Sequence, residues 1–178
     1  MTDPIRELKV RAELLHKQIQ AGDPRALARL RALAEFRRAS PETLAMLAPT
    51  IRRRQCLATI AAELGFASWP EMKAVLTGEE SDNGFGNLLC PMNCSAHLNH
   101  WCKTYLEALS FQKQHRGYLL AFRNQYLVVD RYYIESLGLD PDDRDWQALG
   151  FDWVRPRDVA ARTRFYAKLV AALPREAA

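Results

Sequence analysis

Apolar residues recur at spacings of three and four along residues 4–76, the spacing that gathers them on one face of a helix. Asp-Pro and Ser-Pro pairs and glycines punctuate this pattern, as is typical of helix starts and ends. The pattern predicts helices over about 4–21, 24–34, 41–48, 51–64 and 69–76. In the first helix the expected buried positions are Ile5, Leu8, Ala12, Leu15 and Ile19. The helices are expected to pack as a small bundle around Leu15, Leu30, Ile60, Leu64, Phe66 and Trp69.

The pattern changes in the second half of the chain. Ser95 is placed to cap a helix that runs to about Gln114. The runs GYLLAF and QYLVVD then predict an antiparallel hairpin, with Asn124 as the turn residue that tolerates a positive φ. Further helices are expected over 131–137, 141–149 and 157–173. The predicted fold class is mainly α with a small α+β second part: a helical bundle followed by a β-hairpin covered by helices.

A polar, glycine-bearing stretch separates the two halves. Its sequence, GEESDNGFGN, has little to bury, which is typical of a linker. We therefore predict a helical bundle module at 1–78, a linker at 79–87 and an α+β module at 88–178. Lys and Arg outnumber Asp and Glu by 13 − 8 = +5 over residues 1–78, against 12 − 13 = −1 over the rest. Any attraction for nucleic acid is expected in the first half.

The composition is that of a globular protein with a packed core. Of the residues, 48% are hydrophobic and 26% are charged. The start MTDPIRELKV lacks the features of a signal peptide, and no window holds the roughly 18 apolar residues that a membrane helix needs. We expect a cytoplasmic protein without a membrane partner. In a reducing compartment its four cysteines are expected to be thiols, metal ligands or nucleophiles and not disulfides.

Two sequence patterns resemble known proteins. Gly22-Asp23-Pro24 and the later stretch GFASW resemble a helical module of bacterial proteins that often precedes ankyrin-type repeats. The resemblance covers about residues 1–78 and implies a helical accessory module, without implying a reaction. The second half, around LNHW, GYLLAFRNQY and LGLDPDD, is similar to uncharacterised bacterial proteins and implies no function.

The main chemical clue is a cluster of cysteines and histidines between residues 90 and 102. Zinc favours four such ligands, and we predict a structural zinc site on Cys90, Cys94, His97 and His100. This choice assumes that His97 and His100 share a helix face and that Cys102 points toward apolar residues, namely Leu98, Tyr105 and Leu106. In one alternative these are ordinary buried thiols and polar histidines. In another, Cys94 at a helix start is a nucleophile beside His97, as in a thiol- or metal-dependent enzyme built on residues 90–102.

A second clue is the basic run Arg52, Arg53 and Arg54 at the start of the fourth predicted helix. Residues 51–77 are similar in pattern to a helix-turn-helix, which indicates a DNA-binding regulator. The alternative is a solvated charged face on an ordinary helical hairpin. The function that these observations favour is a non-enzymatic bacterial accessory or regulatory protein that acts through contacts with a partner protein. The DNA-binding regulator and the enzyme are the alternatives.

Overall fold

The computed structural model describes residues 3–79, 84–90 and 99–174. The first of these ranges is helical, as predicted. Its α-helices are α1 (Pro4–Gln20), α2 (Pro24–Arg29), α3 (Pro41–Leu47), α4 (Arg53–Glu63) and α5 (Trp69–Thr77). Single 3-10 turns occupy Leu30–Ala32, Ala34–Phe36 and Ala48–Thr50. The second helix is therefore shorter than predicted, because the chain tightens into 3-10 turns from Leu30 onward.

Local chemistry explains where these helices begin. The carboxylate of Asp3 accepts a hydrogen bond from the backbone N–H of Ile5 (2.9 Å), and Asp23 does the same for Ala26 (2.9 Å). Each satisfies an N–H group that the first turn leaves without a helical partner. The apolar stripe of α1 is buried as predicted, with Leu8, Ala12 and Ile19 fully enclosed.

The second half combines a small sheet with four further helices in its described part. The elements are β1 (His100–Cys102), α6 (Tyr105–His115), β2 (Tyr118–Phe122), β3 (Gln125–Val129), α7 (Arg131–Ser136), α8 (Arg144–Leu149) and α9 (Val159–Ala172). The sheet is antiparallel with the order β1-β3-β2. The predicted hairpin is confirmed, with Leu120 opposite Leu127. The residue with a positive φ at the turn is Arg123 (51°), whereas the sequence predicted Asn124.

The helix predicted from Ser95 is wrong for residues 100–104, which precede α6. Strand β1 forms there, and Trp101 pairs with Leu127 across the sheet. The helix starts at the next capping box, in which the Thr104 side chain accepts from the N–H of Glu107 and the Glu107 carboxylate accepts from the N–H of Thr104. Pairing with β3 therefore overrides the local helical pattern. The predicted start at Ser95 lies outside the described residues.

The sheet has a different neighbour on each face. One face, with Leu120, Leu127 and Val129, belongs to the main core. The opposite face, with Leu119 and Val128, packs with Cys102 and Ala108 into a second small core beneath α6. The alternation of side chains along a strand produces this division.

Contacts cross the predicted boundary between the two parts. The main core includes Leu8 of α1 and Phe165 of α9 in one cluster. The Arg11 guanidinium donates to the carbonyl oxygens of Val170 (3.2 Å) and Leu173 (3.1 Å). Within the predicted linker, the N–H of Asn87 donates to the carbonyl of Leu64 in the first part (2.9 Å). The division into 1–78, 79–87 and 88–178 stays a prediction. Among the described residues, no helix combines the length and the apolar character needed to cross a membrane.

Candidate functional site

An apolar groove runs along the outer side of α1, which we call the α1 groove. It has a volume of about 400 Å³. Its lining residues are Glu7, Val10, Arg11, Leu14, Leu15, Gln18, Arg29 and Pro174. Val10 is 56% exposed and Leu14 is 44% exposed, whereas the other apolar stripe of this helix is buried. Two large apolar side chains one helical turn apart therefore face solvent beside a concave surface.

The walls of this groove are held by arginines that already have partners. Arg11 pairs with Glu7 (3.1 Å) and donates to carbonyl oxygens in the last turn of α9 and just beyond it, including that of Pro174 (3.0 Å). These hydrogen bonds tie the end of α9 to α1. Arg29 makes a two-pronged pair with Glu63 (2.8 and 2.7 Å). The groove is thus a fixed surface of the folded chain and does not depend on loose side chains.

A second concave surface lies beside the second small core, and we call it the histidine pocket. Its volume is about 450 Å³. It is lined by Asn99, His100, Phe111, His115, Arg116, Gly117, Val128, Val129, Asp130 and Arg131. The His100 imidazole stacks on the Phe111 ring with centroids 3.6 Å apart and planes 2° from parallel. The His115 ring also contacts the Phe111 ring, with the ring centroids 4.2 Å apart. The result is a surface stack of three rings.

The backbone next to this stack adopts an unusual conformation. Arg116 ends α6 with φ 62° and ψ −168°, a region that favours glycine. Gly117 follows with φ 106°, and a Cβ atom there would come within 2.6 Å of the Val129 carbonyl oxygen. The Gln112 side chain braces this turn by donating to the carbonyl oxygens of Gly117 (3.2 Å) and Phe151 (2.6 Å).

The predicted zinc ligands are only partly within the described residues. Cys94 and His97 lie outside them. Cys90 is half-buried, and its backbone N–H donates to the Asn87 carbonyl (3.0 Å). His100 lies in strand β1, so the assumption that it shares a helix face with His97 is wrong. Among the residues that the structure describes, no group of three or more metal-binding side chains comes together.

Cys102 is buried, and Tyr105 packs against its cluster as predicted, while Leu98 lies outside the described residues. The neighbours of Cys102 are those of the second small core and not Leu106, which is 72% exposed. Burial is the main reason that the pKa of the Cys102 thiol is raised, and the negative charge of Glu107 adds to it. Burial likewise raises the pKa of Cys56 to about 11. Both thiols therefore stay protonated at neutral pH, which makes them poor nucleophiles.

The basic run lies at the surface, at the start of α4. Arg52, Arg53 and Arg54 are exposed, and Arg53 approaches Glu13 at 4.0 Å. In a helix-turn-helix, α5 would be the helix that enters the DNA groove. Its exposed residues are Pro70, Lys73 and Thr77, so this helix offers a single cation. The DNA-binding regulator remains an alternative.

The sequence contains signals for both surfaces. Val10 and Leu14 are a second apolar pair at a spacing of four, outside the buried stripe of α1. Phe111 and His115 have the same spacing on α6, which brings their rings together. Arg116 carries no such signal, because only the folded chain places it in one pocket with His100.

Comparison of the chain with family models, with curated proteins and with solved structures gave no match. The resemblance of residues 1–78 to the bacterial helical module stays a prediction.

Proposed function

We propose that this chain is a non-enzymatic accessory or regulatory protein that binds a partner protein through the α1 groove. The observation that carries the proposal is the exposure of Val10 and Leu14 beside a preformed concave surface. Exposed apolar side chains grouped in this way are typical of interaction sites. The buried thiols of Cys56 and Cys102 have raised pKa values, so neither of these two cysteines is a good candidate for a nucleophile.

Charges around the groove indicate the chemistry of the partner. Arg6 precedes Val10 by four residues and Lys17 follows Leu14 by three, so two cations bracket the apolar pair on one strip of the helix. Both cations are exposed, and Lys17 makes only a surface pair with Glu13 (3.3 Å). The complementary partner is an amphipathic helix with apolar anchors and acidic flanks. A helix of this type lays its anchors into the groove and its acidic groups beside Arg6 and Lys17.

Synthetic peptides test the groove directly. We expect a helical peptide with leucine anchors and glutamate flanks to bind the full chain, and the same peptide with lysine flanks to bind much more weakly. The Val10→Ser, Leu14→Ser double variant should weaken binding about tenfold or more, because two partly buried apolar contacts are lost. Fluorescence anisotropy with labelled peptides measures both effects.

The matched control is Met46→Ser on α3, which removes another exposed apolar side chain (74% exposed) that does not line the groove. It should leave peptide binding unchanged. The groove is not the recognition surface if the two peptides bind equally well. The same conclusion follows if the Val10→Ser, Leu14→Ser double variant and Met46→Ser lose the same amount of binding affinity.

The zinc site on Cys90, Cys94, His97 and His100 is proposed as a structural addition to this protein. Bound zinc would tie the segment before β1 to the sheet. Protein purified without chelator should then contain about one zinc per chain, and Cys94→Ser should lose it. Cys102→Ser is the control and should keep the metal, because Cys102 is buried in the second small core. Metal analysis by mass spectrometry decides the question, and a metal-free preparation with unchanged stability in chelator would eliminate the site.

A further inference from the structure

We propose that the histidine pocket binds a planar aromatic ring that carries an anionic group, the chemistry of a nucleotide. The pocket is separate from the α1 groove and does not depend on the proposed partner. Three features of the described residues support it: an exposed ring stack, a buried acceptor without a partner, and an unpaired cation.

The ring stack offers a platform for a second planar group. One face of the His100 imidazole lies against Phe111, with the ring centroids 3.6 Å apart. His100 is exposed on strand β1 and lines the pocket together with Phe111, so its ring is accessible to a further planar group. Stacked bases bind aromatic side chains in this way, with a preference for offset parallel rings. His115 supports Phe111 from α6 and keeps the platform in place.

The same pocket is lined by Asn99, which carries a buried hydrogen-bond acceptor. The side-chain carbonyl oxygen of Asn99 is buried and has no hydrogen-bond partner among the residues that the structure describes. A buried acceptor of this kind is unfavourable unless a donor reaches it. The ring N–H or amino group of a nucleobase is such a donor, and Asn99 directly precedes the His100 platform.

Arg116 provides the positive charge for the anionic group. Within the described part of the chain Arg116 makes no ion pair, whereas Arg131 on the same pocket is engaged with Asp142 (3.0 Å) and Glu135 (3.6 Å). One oxygen of the Asp130 carboxylate accepts from the N–H of Tyr133 (2.9 Å), and its negative charge is outnumbered in the pocket lining by Arg116 and Arg131. Arg116 has a glycine-like backbone conformation and lines the pocket. Strained positions of this kind cluster at ligand sites.

The size of the pocket fits the proposed ligand. Its volume of about 450 Å³ lies within the usual range for small-molecule sites. A free mononucleotide and one nucleotide of a single-stranded nucleic acid present the same ring and phosphate, so both sources share the chemistry that the pocket recognises.

Titration of adenosine monophosphate into the isotope-labelled full chain tests the proposal. We expect NMR shift changes at His100, Phe111, His115 and Asn99, with weaker binding of adenosine and of inorganic phosphate than of the nucleotide. A single-stranded oligonucleotide that binds much more tightly than the mononucleotide would identify nucleic acid as the source. Similar affinities would identify the free nucleotide.

Two glycine substitutions give a matched comparison. Arg116→Gly removes the cation and relieves the backbone strain at that position, so the fold should be preserved. It should weaken nucleotide binding about tenfold. Arg123→Gly removes an arginine with a similar positive φ (51°) at the hairpin turn, outside the pocket, and should leave binding unchanged. His100→Ala should also weaken binding, through loss of the platform.

Three results would overturn the proposal. The first is the absence of shift changes at the pocket with millimolar nucleotide and with oligonucleotide. The second is binding that Arg116→Gly and His100→Ala leave intact. The third is binding of inorganic phosphate as tight as that of the nucleotide, which would remove the role of the ring. Since no groove residue is altered, failure here leaves the peptide experiment on the α1 groove unaffected.

Discussion

Trp153→Ala should destabilise the protein strongly, and more than Trp101→Ala, Arg164→Met or Arg131→Met. Trp153 is fully buried and contacts Trp146, Phe165 and Tyr166. Its indole N–H donates to the Tyr166 hydroxyl (3.1 Å). Truncation leaves a large cavity and an unpaired buried hydroxyl, and losses of this kind cost about 3–5 kcal/mol. Urea unfolding followed by circular dichroism should show a much lower midpoint.

The control for this change is another tryptophan. Trp101 on β1 is 44% exposed, and its ring makes an edge contact with Phe122 (5.9 Å between centroids). Trp101→Ala removes the same number of atoms and should cost clearly less than Trp153→Ala, about 2 kcal/mol, because almost half of Trp101 already faces solvent. Similar losses in the two variants would contradict the central position of Trp153 in the core.

Arg164→Met should destabilise the protein at neutral pH by about 2 kcal/mol. Arg164 binds both oxygens of Asp145 (3.0 and 2.6 Å), and this pair joins α8 to α9. The Asp145 side chain is 10% exposed, so its carboxylate depends on this partner. Because Arg164 itself is 39% exposed, the expected loss lies below that for a fully buried pair.

The pH dependence of this effect has a defined sign. The hydrogen bonds from Arg164 are the main reason that the pKa of Asp145 is lowered in the folded chain, against the opposing effect of burial. A lowered pKa contributes stability above the unfolded-state pKa of about 4, and that contribution is lost as the pH falls through the folded-state pKa. The stability gap between the original chain and Arg164→Met should therefore be full at pH 7 and shrink below about pH 4.

Arg131→Met is the matched control, since it breaks a pair with Asp142, whose side chain is 76% exposed. Exposed pairs contribute little, so denaturant unfolding should show no measurable change. If the stability difference between the original chain and Arg164→Met is as large at pH 3 as at pH 7, Asp145 is not the group whose charge is stabilised.

Helices α1 to α5 illustrate how much the sequence predicted. Their starts are set by side chains within a few residues, such as Asp3, Asp23 and Ser40, and their buried faces follow from spacing alone. The β-hairpin was predictable for a similar reason, since two runs of β-forming residues flank a short turn. All of these signals are local.

Strand β1 illustrates why the rest was not predictable. The local sequence predicts a helix for its three residues. They form a strand because β3, more than twenty residues further along the chain, pairs with them in the sheet. That pairing places His100 against Phe111 and buries Cys102 beneath α6. The assumed helical pairing of His97 with His100 failed for the same reason.

The sequence by itself determined the helical first half, the hairpin and the mainly α character of the chain, because caps, turns and apolar periodicity act over a few residues. Only the tertiary structure decided which groups meet at the two surfaces. The α1 groove exists because the end of α9 lies against Arg11, and the histidine pocket exists because β1, α6 and β3 converge. Contacts between residues far apart in the chain depend on how whole elements pack, and a local pattern does not encode that packing.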